Sequence, residues 1–239
     1  MIILFFLAAI FSELIGTIAG FGSSTIFLPL SLFFFDFRTA LVLVALFHVM
    51  GNVIRLSLFR KGVHLRTILI FGLPSIVFTL FGAMLVSRVD QDALKGYLGI
   101  FLIAFTLLMA WKHNFSIKNT SPNLVFGGAL SGFLAGLIGT GGALRGAFLT
   151  GVKLPKSRYL ATTAAIAVAV DLTRIPIYLR DGFLQRANYW IVPVLLVCSV
   201  IGAYLGTWIV RRFTYALFRT VVLVTILLAG VYFVVQWVR

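Results

Sequence analysis

The sequence predicts an all-α polytopic membrane protein with about eight to ten transmembrane helical segments in two repeats. Three observations indicate this class. Hydrophobic residues make up 61% of the 239 residues and charged residues only 11%, and the mean hydropathy of +1.10 is too high for a soluble domain. The second observation is a series of long apolar runs. The third is a glycine-rich pattern that occurs twice.

The distribution of positive charge indicates the surroundings of the chain. Its 20 Lys and Arg residues stand mostly in short groups between apolar runs and give a formal net charge of +14. A nucleic-acid-binding surface would collect this charge on one amphipathic face, whereas short groups between apolar runs are typical of loops that orient a membrane protein. We therefore expect a lipid bilayer, and no nucleic acid, around this chain.

Eight apolar runs follow one another along the sequence. Six of them have the length of a single span, since about 20 residues cross about 30 Å of hydrocarbon. These six cover approximately 38–59, 65–87, 94–111, 157–179, 187–210 and 215–238. The other two, 2–35 and 121–151, are too long for one span and carry a glycine cluster near the middle. We expect these two runs to be broken or re-entrant helices.

The two halves of the chain share a pattern. A shift of 119 residues aligns glycine, proline and intramembrane arginine, and one extra residue at Asp181 then changes the shift to 120. The aligned pairs include Gly20 with Gly139, Gly22 with Gly141, Arg55 with Arg174, Pro74 with Pro193, and Gly82 with Gly202. Arginine and proline rarely coincide by chance within apolar runs. We therefore predict a first transmembrane repeat at 1–111, a linker at 112–122 and a second repeat at 123–239.

The relative direction of the repeats depends on how the two glycine-containing runs cross the membrane. If each run crosses once, the two sides receive eight and nine loop Lys and Arg residues, which favours neither orientation. If each run enters and returns, the sides receive six and eleven. This split favours inverted repeats with both termini outside, a design in which broken helices meet near the midplane.

The two glycine-rich segments are the predicted site. Glycine lets backbone N–H groups turn toward a ligand and lets a second helix begin. At membrane depth such backbone must be buried in protein or line a watery cavity, since lipid cannot satisfy its polar groups. The predicted substrate-binding residues here are Gly20, Gly22, Ser23, Ser24 and Thr25, with Gly139, Thr140, Gly141, Gly142 and Arg145. For the hydroxyl residues, packing between helices is an equal alternative.

Arg145 follows the second glycine cluster, where the next half-helix would begin. A cation within a membrane segment costs about 2.5 kcal/mol or more, so it should face a cavity or a partner. Beside the free N–H groups of a helix N-terminus, an arginine makes an anion site. The alternatives are an arginine that reaches the membrane interface or one that pairs structurally with Asp171.

Polar side chains also recur on one face of two further runs. His48, Asn52 and Arg55 stand at i, i+4 and i+7 of one helix, and Asp171 and Arg174 form the matching stripe on another. We predict that Arg55 and Arg174 join the anion site. Asp171, with Asn52 and His48, is the predicted coupling group for a proton or sodium ion.

These coupling residues also have structural interpretations. Asp171 and Arg174, three residues apart, would neutralise each other on a helix. His48 is of a type that more often forms hydrogen bonds within a bundle than binds a ligand. Glu13, before the first glycine cluster, is the second acidic candidate, although an interfacial position would make it ordinary.

The doubled pattern carries a family resemblance. It consists of the glycines at 16–22 leading to Pro29 and Leu30, their counterpart at 132–142, and the pairs Gly82-Ala83 and Gly202-Ala203. This pattern resembles the TauE/SafE sulfite-exporter family of bacterial membrane proteins over almost the whole chain. The resemblance implies secondary transport of sulfite, sulfoacetate, other sulfonates or organic anions across the cell inner membrane.

The sequence departs from the family pattern at two places. Ser23 and Ser24 stand where a glycine pair is usual, and the second repeat has Arg145-Gly146 and lacks the proline found at Pro29. These departures fall within the predicted site. They leave the identity of the anion open.

Other functional classes fit the sequence less well. An anion channel would need the same arginine and glycine residues but no coupling group, and a carboxylate transporter of the same fold is a further alternative. An enzyme is not predicted, because no nucleophile, base and orienting residue can be assembled. No metal-ligand spacing and no cofactor are predicted, and Cys198 is the only cysteine. The sequence is compatible with a homodimer and with a monomer.

The six-to-eleven charge split generates a topology prediction. Accessibility labelling of single cysteines should place the linker between Lys112 and Pro122 in the cytoplasm and Arg239 outside. A cytoplasmic C-terminus together with a cytoplasmic linker would exclude inverted repeats and restore single crossings.

Overall fold

The computed structural model describes residues 1–19, 22–59, 62–111, 117–209 and 215–238. In these ranges the regular structure is entirely helical, which confirms the predicted all-α class. The first half contains α1 (Ile2–Ala19), α2 (Ser24–Ser31), α3 (Phe37–Phe59), α4 (Leu65–Arg88, including a π-helical turn at Ile68–Gly72) and α5 (Gln91–Trp111). The second half contains α6 (Ser121–Ile138), α7 (Gly142–Thr150), α8 (Lys156–Arg180), α9 (Ile191–Ile209) and α10 (Tyr215–Val238).

Helices long and apolar enough to cross a membrane number six in the described ranges. They are Phe37–Phe59, Leu65–Arg88, Gln91–Trp111, Ser121–Ile138, Lys156–Arg180 and Arg186–Gly206. Large apolar side chains such as Leu69, Phe78 and Leu228 are exposed on the outside of the bundle. Lipid tails would cover such a surface, so the chain is a multi-pass membrane protein.

The helix boundaries follow from local sequence. Thr120 caps α6 by accepting a hydrogen bond from the Asn123 N–H at 3.4 Å, so α6 begins at Ser121, inside the predicted linker and two residues before the predicted repeat boundary at 123. Gly139 ends α6 in the left-handed conformation, with φ of 73°. The long apolar run 121–151 is therefore two helices, α6 and the nine-residue α7.

The two halves have equivalent packing partners. Helix α1 packs along α9 of the other half, and α6 packs along α4 in the same way. Helices α3 and α8 pack on each other, as do α5 and α10. An approximate twofold relation between the halves would produce this pattern, which is consistent with the predicted 119-residue shift in the sequence.

The connections collect at two ends of the bundle. At one end, the Phe5 ring lies 4.9 Å from the Phe35 ring, and Thr39 Oγ1 donates to the Phe183 carbonyl at 3.1 Å. The start of α1 thus lies beside the residues that follow α2. At the other end, Gly151 after α7 approaches the Ile117 carbonyl before α6. Segments that enter and return require such contacts, and the inverted direction of the repeats stays a prediction.

The α4–α6 interface depends on backbone contact. A Cβ at Gly132 would overlap the Ser75 carbonyl oxygen, and Thr79 Oγ1 donates across the interface to the Gly132 carbonyl at 3.0 Å. Small residues allow helices in membranes to approach this closely, and interhelical hydrogen bonds then stabilise the contact.

Gly132→Leu tests this interface. The added side chain must displace the backbone of α4, so we expect a loss of about 1–3 kcal/mol in stability and a lower unfolding temperature in detergent. Val125→Leu, on the exposed side of the same helix, is the matched control and should unfold at the parent temperature. Equal unfolding temperatures for both variants would show that α4 and α6 are not in close contact.

Candidate functional site

The two glycine-containing segments meet in the centre of the bundle. Thr25 lies in the first turn of α2 and Thr140 lies between α6 and α7. Their Oγ1 atoms are 2.9 Å apart, at hydrogen-bond distance, and both residues are fully buried. Residues 115 positions apart in sequence therefore lie side by side, at the starts of two short helices.

The backbone at the two segments has different neighbours. Gly22 has φ of 96°, and a Cβ there would lie 2.9 Å from His48 Nε2 and 3.5 Å from Arg145 Nη2. A Cβ at Gly141 would instead overlap the Ser131 carbonyl, and the Ser131 hydroxyl donates to the Gly141 carbonyl at 2.8 Å. Gly22 thus borders the charged centre, whereas Gly141 packs against α6.

The first charged cluster joins α1, α2 and α3. Arg55 Nη2 donates to Glu13 Oε1 at 2.7 Å, and the Ser23 hydroxyl donates to Glu13 Oε2 at 2.5 Å. Gly51 lies against the same carboxylate, where a Cβ would overlap it. Arg55 is therefore neutralised by a carboxylate from another helix, and Ser23 orients that carboxylate.

The second cluster joins α3, α6 and α8. Asp171 Oδ1 accepts hydrogen bonds from Arg174, whose Nη2 is 2.7 Å away, and Asp171 Oδ2 lies 2.7 Å from His48 Nδ1. Arg174 Nη1 also donates to the Ala135 carbonyl at 2.7 Å. Asp171 thus neutralises Arg174 and fixes the ring of His48.

Arg145 occupies the first turn of α7 and is only 4% exposed. Within the described ranges, no residue forms an ion pair or side-chain hydrogen bond with its guanidinium. The predicted alternative of a structural pair with Asp171 is not formed, because Asp171 binds Arg174 and His48. The first N–H groups of α7, at Gly142, Ala143 and Leu144, have no carbonyl partner one turn earlier in their own helix.

The buried charges of the described residues do not balance. The buried arginines are Arg55, Arg145 and Arg174, and the buried carboxylates are Glu13 and Asp171. With His48 neutral, this centre carries one excess positive charge. Burying a charge without a partner is costly, and an anion at this centre would offset that cost.

The structure brings together most of the residues that the sequence predicts. The predicted residues that surround this centre are Gly22, Ser23, Thr25, Arg55, Arg145, Arg174, Asp171, His48, Gly139 and Thr140. Asn52 donates to the His48 carbonyl at 2.8 Å, and Ser24 is buried in the first turn of α2. Gly20 lies outside the described residues.

Three contacts of this centre are not anticipated from sequence. Glu13 pairs with Arg55 across 42 positions, Ser131 holds the Gly141 carbonyl, and the Tyr178 hydroxyl donates to the Gly136 carbonyl at 2.5 Å. The sequence gives a weak indication of Glu13 and Tyr178, since each is a polar residue inside an apolar run and such residues tend to face other polar groups.

The bundle and its buried charges define a multi-pass helical membrane protein with a charged centre. The chain belongs to the TauE/SafE sulfite exporter family, whose model, described as "Sulfite exporter TauE/SafE", matches residues 5–233. This match confirms the predicted resemblance, and the protein is a membrane transporter of that family.

A curated relative supports the same class. The chain is 28% identical over 206 residues to "Probable membrane transporter protein MJ0441" of Methanocaldococcus jannaschii, covering 78% of this chain and 77% of the relative. No solved structure gives a significant match. Both descriptions are of membrane transporters, consistent with the prediction that the chain is not an enzyme.

The three buried arginines generate a stability prediction. Arg55→Gln leaves Glu13, and Arg174→Gln leaves Asp171, without the arginine that neutralises it, so each variant should lose about 3–5 kcal/mol of stability. Arg145→Gln removes the excess charge and should unfold at or above the parent temperature in anion-poor detergent. If Arg145→Gln were as unstable as Arg55→Gln, Arg145 would have a carboxylate partner, and the charge count above would be wrong.

Proposed function

We propose that this protein is a secondary active transporter of small sulfur-containing or organic anions, such as sulfite, sulfoacetate or another sulfonate, in the cell inner membrane. The anion binds between the two glycine-containing segments, at Arg145. The observation that carries this proposal is the buried side chain of Arg145, at the start of α7 and beside Gly22, with which no described residue forms an ion pair or side-chain hydrogen bond.

The chemistry around Arg145 suits an oxyanion. A guanidinium can hold two oxygens of a sulfonate, sulfite or carboxylate at once. The N-terminus of α7 supplies backbone N–H groups and the positive end of the helix dipole. Thr25 and Thr140 add two hydroxyl groups, which lie at hydrogen-bond distance from each other. Together these groups can replace the hydration of a small anion.

Specificity for sulfur-containing anions is supported by the family description, which names sulfite. The geometry itself suits any small oxyanion, so a carboxylate transporter remains the alternative for the substrate.

Coupling distinguishes a secondary transporter from an anion channel. Asp171 and His48 form a buried carboxylate–imidazole pair beside the anion site, and such pairs in membrane proteins mark proton pathways. A channel has no need for this pair. Unitary currents from the purified protein in a planar bilayer would favour the channel.

Arg145 is the residue to test first. A charge-assisted contact of this kind contributes about 1.5–3 kcal/mol, so Arg145→Ala should weaken sulfite or sulfoacetate binding about 10- to 150-fold in calorimetry. Arg145→Lys should recover part of the affinity, because the ammonium keeps the charge but loses the planar fork.

Lys156→Ala is the matched control, since it removes an exposed cation at the start of α8. This variant should bind the anion like the parent. Parent-like affinity in Arg145→Ala would instead move the site to Arg55 or Arg174 and leave the two glycine segments as scaffolding.

A further inference from the structure

The ring of His48 has one nitrogen, Nε2, that forms no hydrogen bond with the described residues at the centre. His48 is only 3% exposed, and its Nε2 is a buried nitrogen without a hydrogen-bond partner among the described residues. This atom lies 2.9 Å from the Cβ position of Gly22, and Arg145 Nη2 lies 3.5 Å from the same point. His48 Nε2 and the unpaired guanidinium therefore border the same small space.

Asp171 determines which protonation states of His48 are available. The carboxylate lies 2.7 Å from Nδ1, so Nδ1 carries a hydrogen and donates it to Asp171. In the neutral ring, Nε2 then has a lone pair and no hydrogen. Protonation can occur only at Nε2, on the side that faces Arg145 and Gly22.

The charged groups around His48 set the conditions for that protonation. Asp171 on α8, Arg145 on α7 and Arg55 on α3 itself act on the ring. Arg174 affects the ring indirectly through its ion pair with Asp171, and Glu13 does so through its ion pair with Arg55. Helix α2 has no ionisable side chain, and from α9 the uncharged Ser199 donates to the Phe47 carbonyl, next to His48, at 3.0 Å.

We propose that His48 takes up one proton when a dianion binds and donates a hydrogen bond to it from Nε2, whereas a monoanion binds without proton uptake. This inference rests on the proposed function, since it places a second ligand group in the same anion site. It makes dianion movement a proton-coupled step.

Charge balance is the reason for the difference between the two kinds of anion. The protein's own groups at the centre carry one excess positive charge, so protonating His48 without a bound anion would bury a second positive charge beside Arg145. A monoanion cancels the existing excess and leaves no reason for protonation. A dianion leaves one excess negative charge, which a proton on His48 cancels.

The proton resides on His48 and not on Asp171 for a geometric reason. Both oxygens of Asp171 already accept hydrogen bonds, one from Arg174 and one from His48. A proton on this carboxyl would break one of these bonds and leave Arg174 without its counter-charge. His48 Nε2 gains a donor hydrogen without losing any contact.

Calorimetry with anions of fixed charge tests the proposal in the full-length protein. Sulfate and sulfoacetate are dianions near neutral pH, and methanesulfonate is a monoanion. Titrations in two buffers with different ionisation enthalpies give the number of protons taken up per anion. We expect about one proton for a dianion and none for methanesulfonate, and an affinity for the dianion that rises up to about tenfold per unit fall in pH.

Two variants of His48 separate proton uptake from folding. His48→Gln places an amide donor near the position of Nε2 but cannot titrate, so its dianion affinity should become independent of pH, with no proton uptake. His48→Asn can retain a contact with Asp171 and lacks the Nε2 position, and it should also lose the uptake. Methanesulfonate binding reports in both variants that the site is folded.

His64→Gln is the matched control. This histidine bonds Thr67 at 2.8 Å at one end of the bundle, and its replacement should leave the proton count at the parent value. Proton uptake that persists in His48→Gln, dianion binding to the parent without uptake, or binding of methanesulfonate alone would overturn the inference and leave the proposed function standing. If none of the three anions binds to the parent, the proposed function fails, and the inference fails with it.

Discussion

The need to compensate buried charge is the constraint on which the centre of this molecule depends. Three arginines and two carboxylates lie inside an apolar bundle, where an unpaired ion is costly. Helix α1 supplies Glu13 and α8 supplies Asp171, and each carboxylate holds one arginine. Arg145 alone in this group lacks a carboxylate. The arrangement of α1, α3 and α8 thus leaves one excess positive charge among the described residues of the centre, which the proposed anion would offset.

The charged residues of the two halves differ at positions that the 119-residue shift aligns. Arg55 and Arg174 are equivalent under the 119-residue shift, but their carboxylates are not. Glu13 corresponds to Gly132, which packs against the backbone of α4, and Asp171 corresponds to Asn52. Arg145 corresponds to a buried isoleucine, Ile26. At these aligned positions the second half therefore carries a buried arginine, Arg145, that the first half lacks.

The helical class and many residues of the charged centre could be predicted from the sequence, because membrane segments obey simple length and polarity rules. The glycine segments, the arginine at the start of α7 and the stripe of His48, Asn52 and Arg55 follow from spacing alone. Periodicity gives the face of a helix but not the residue opposite it. The partner of Arg55 therefore could not be predicted, since Glu13 reaches it from another helix and through the space left by Gly51.

The same charge argument bears on how the protein carries its substrate. In this structure the centre is closed, because Thr25 and Thr140 bond across it and Arg145 is buried. Under the proposed function, passage of the anion requires the starts of α2 and α7 to separate and Arg145 to be hydrated on one side at a time. The protein's own groups leave one positive charge uncompensated in the closed state, and the proposed anion would compensate it. Under this proposal, anion binding stabilises the closed state through which a carrier must pass, a requirement that an open channel does not have.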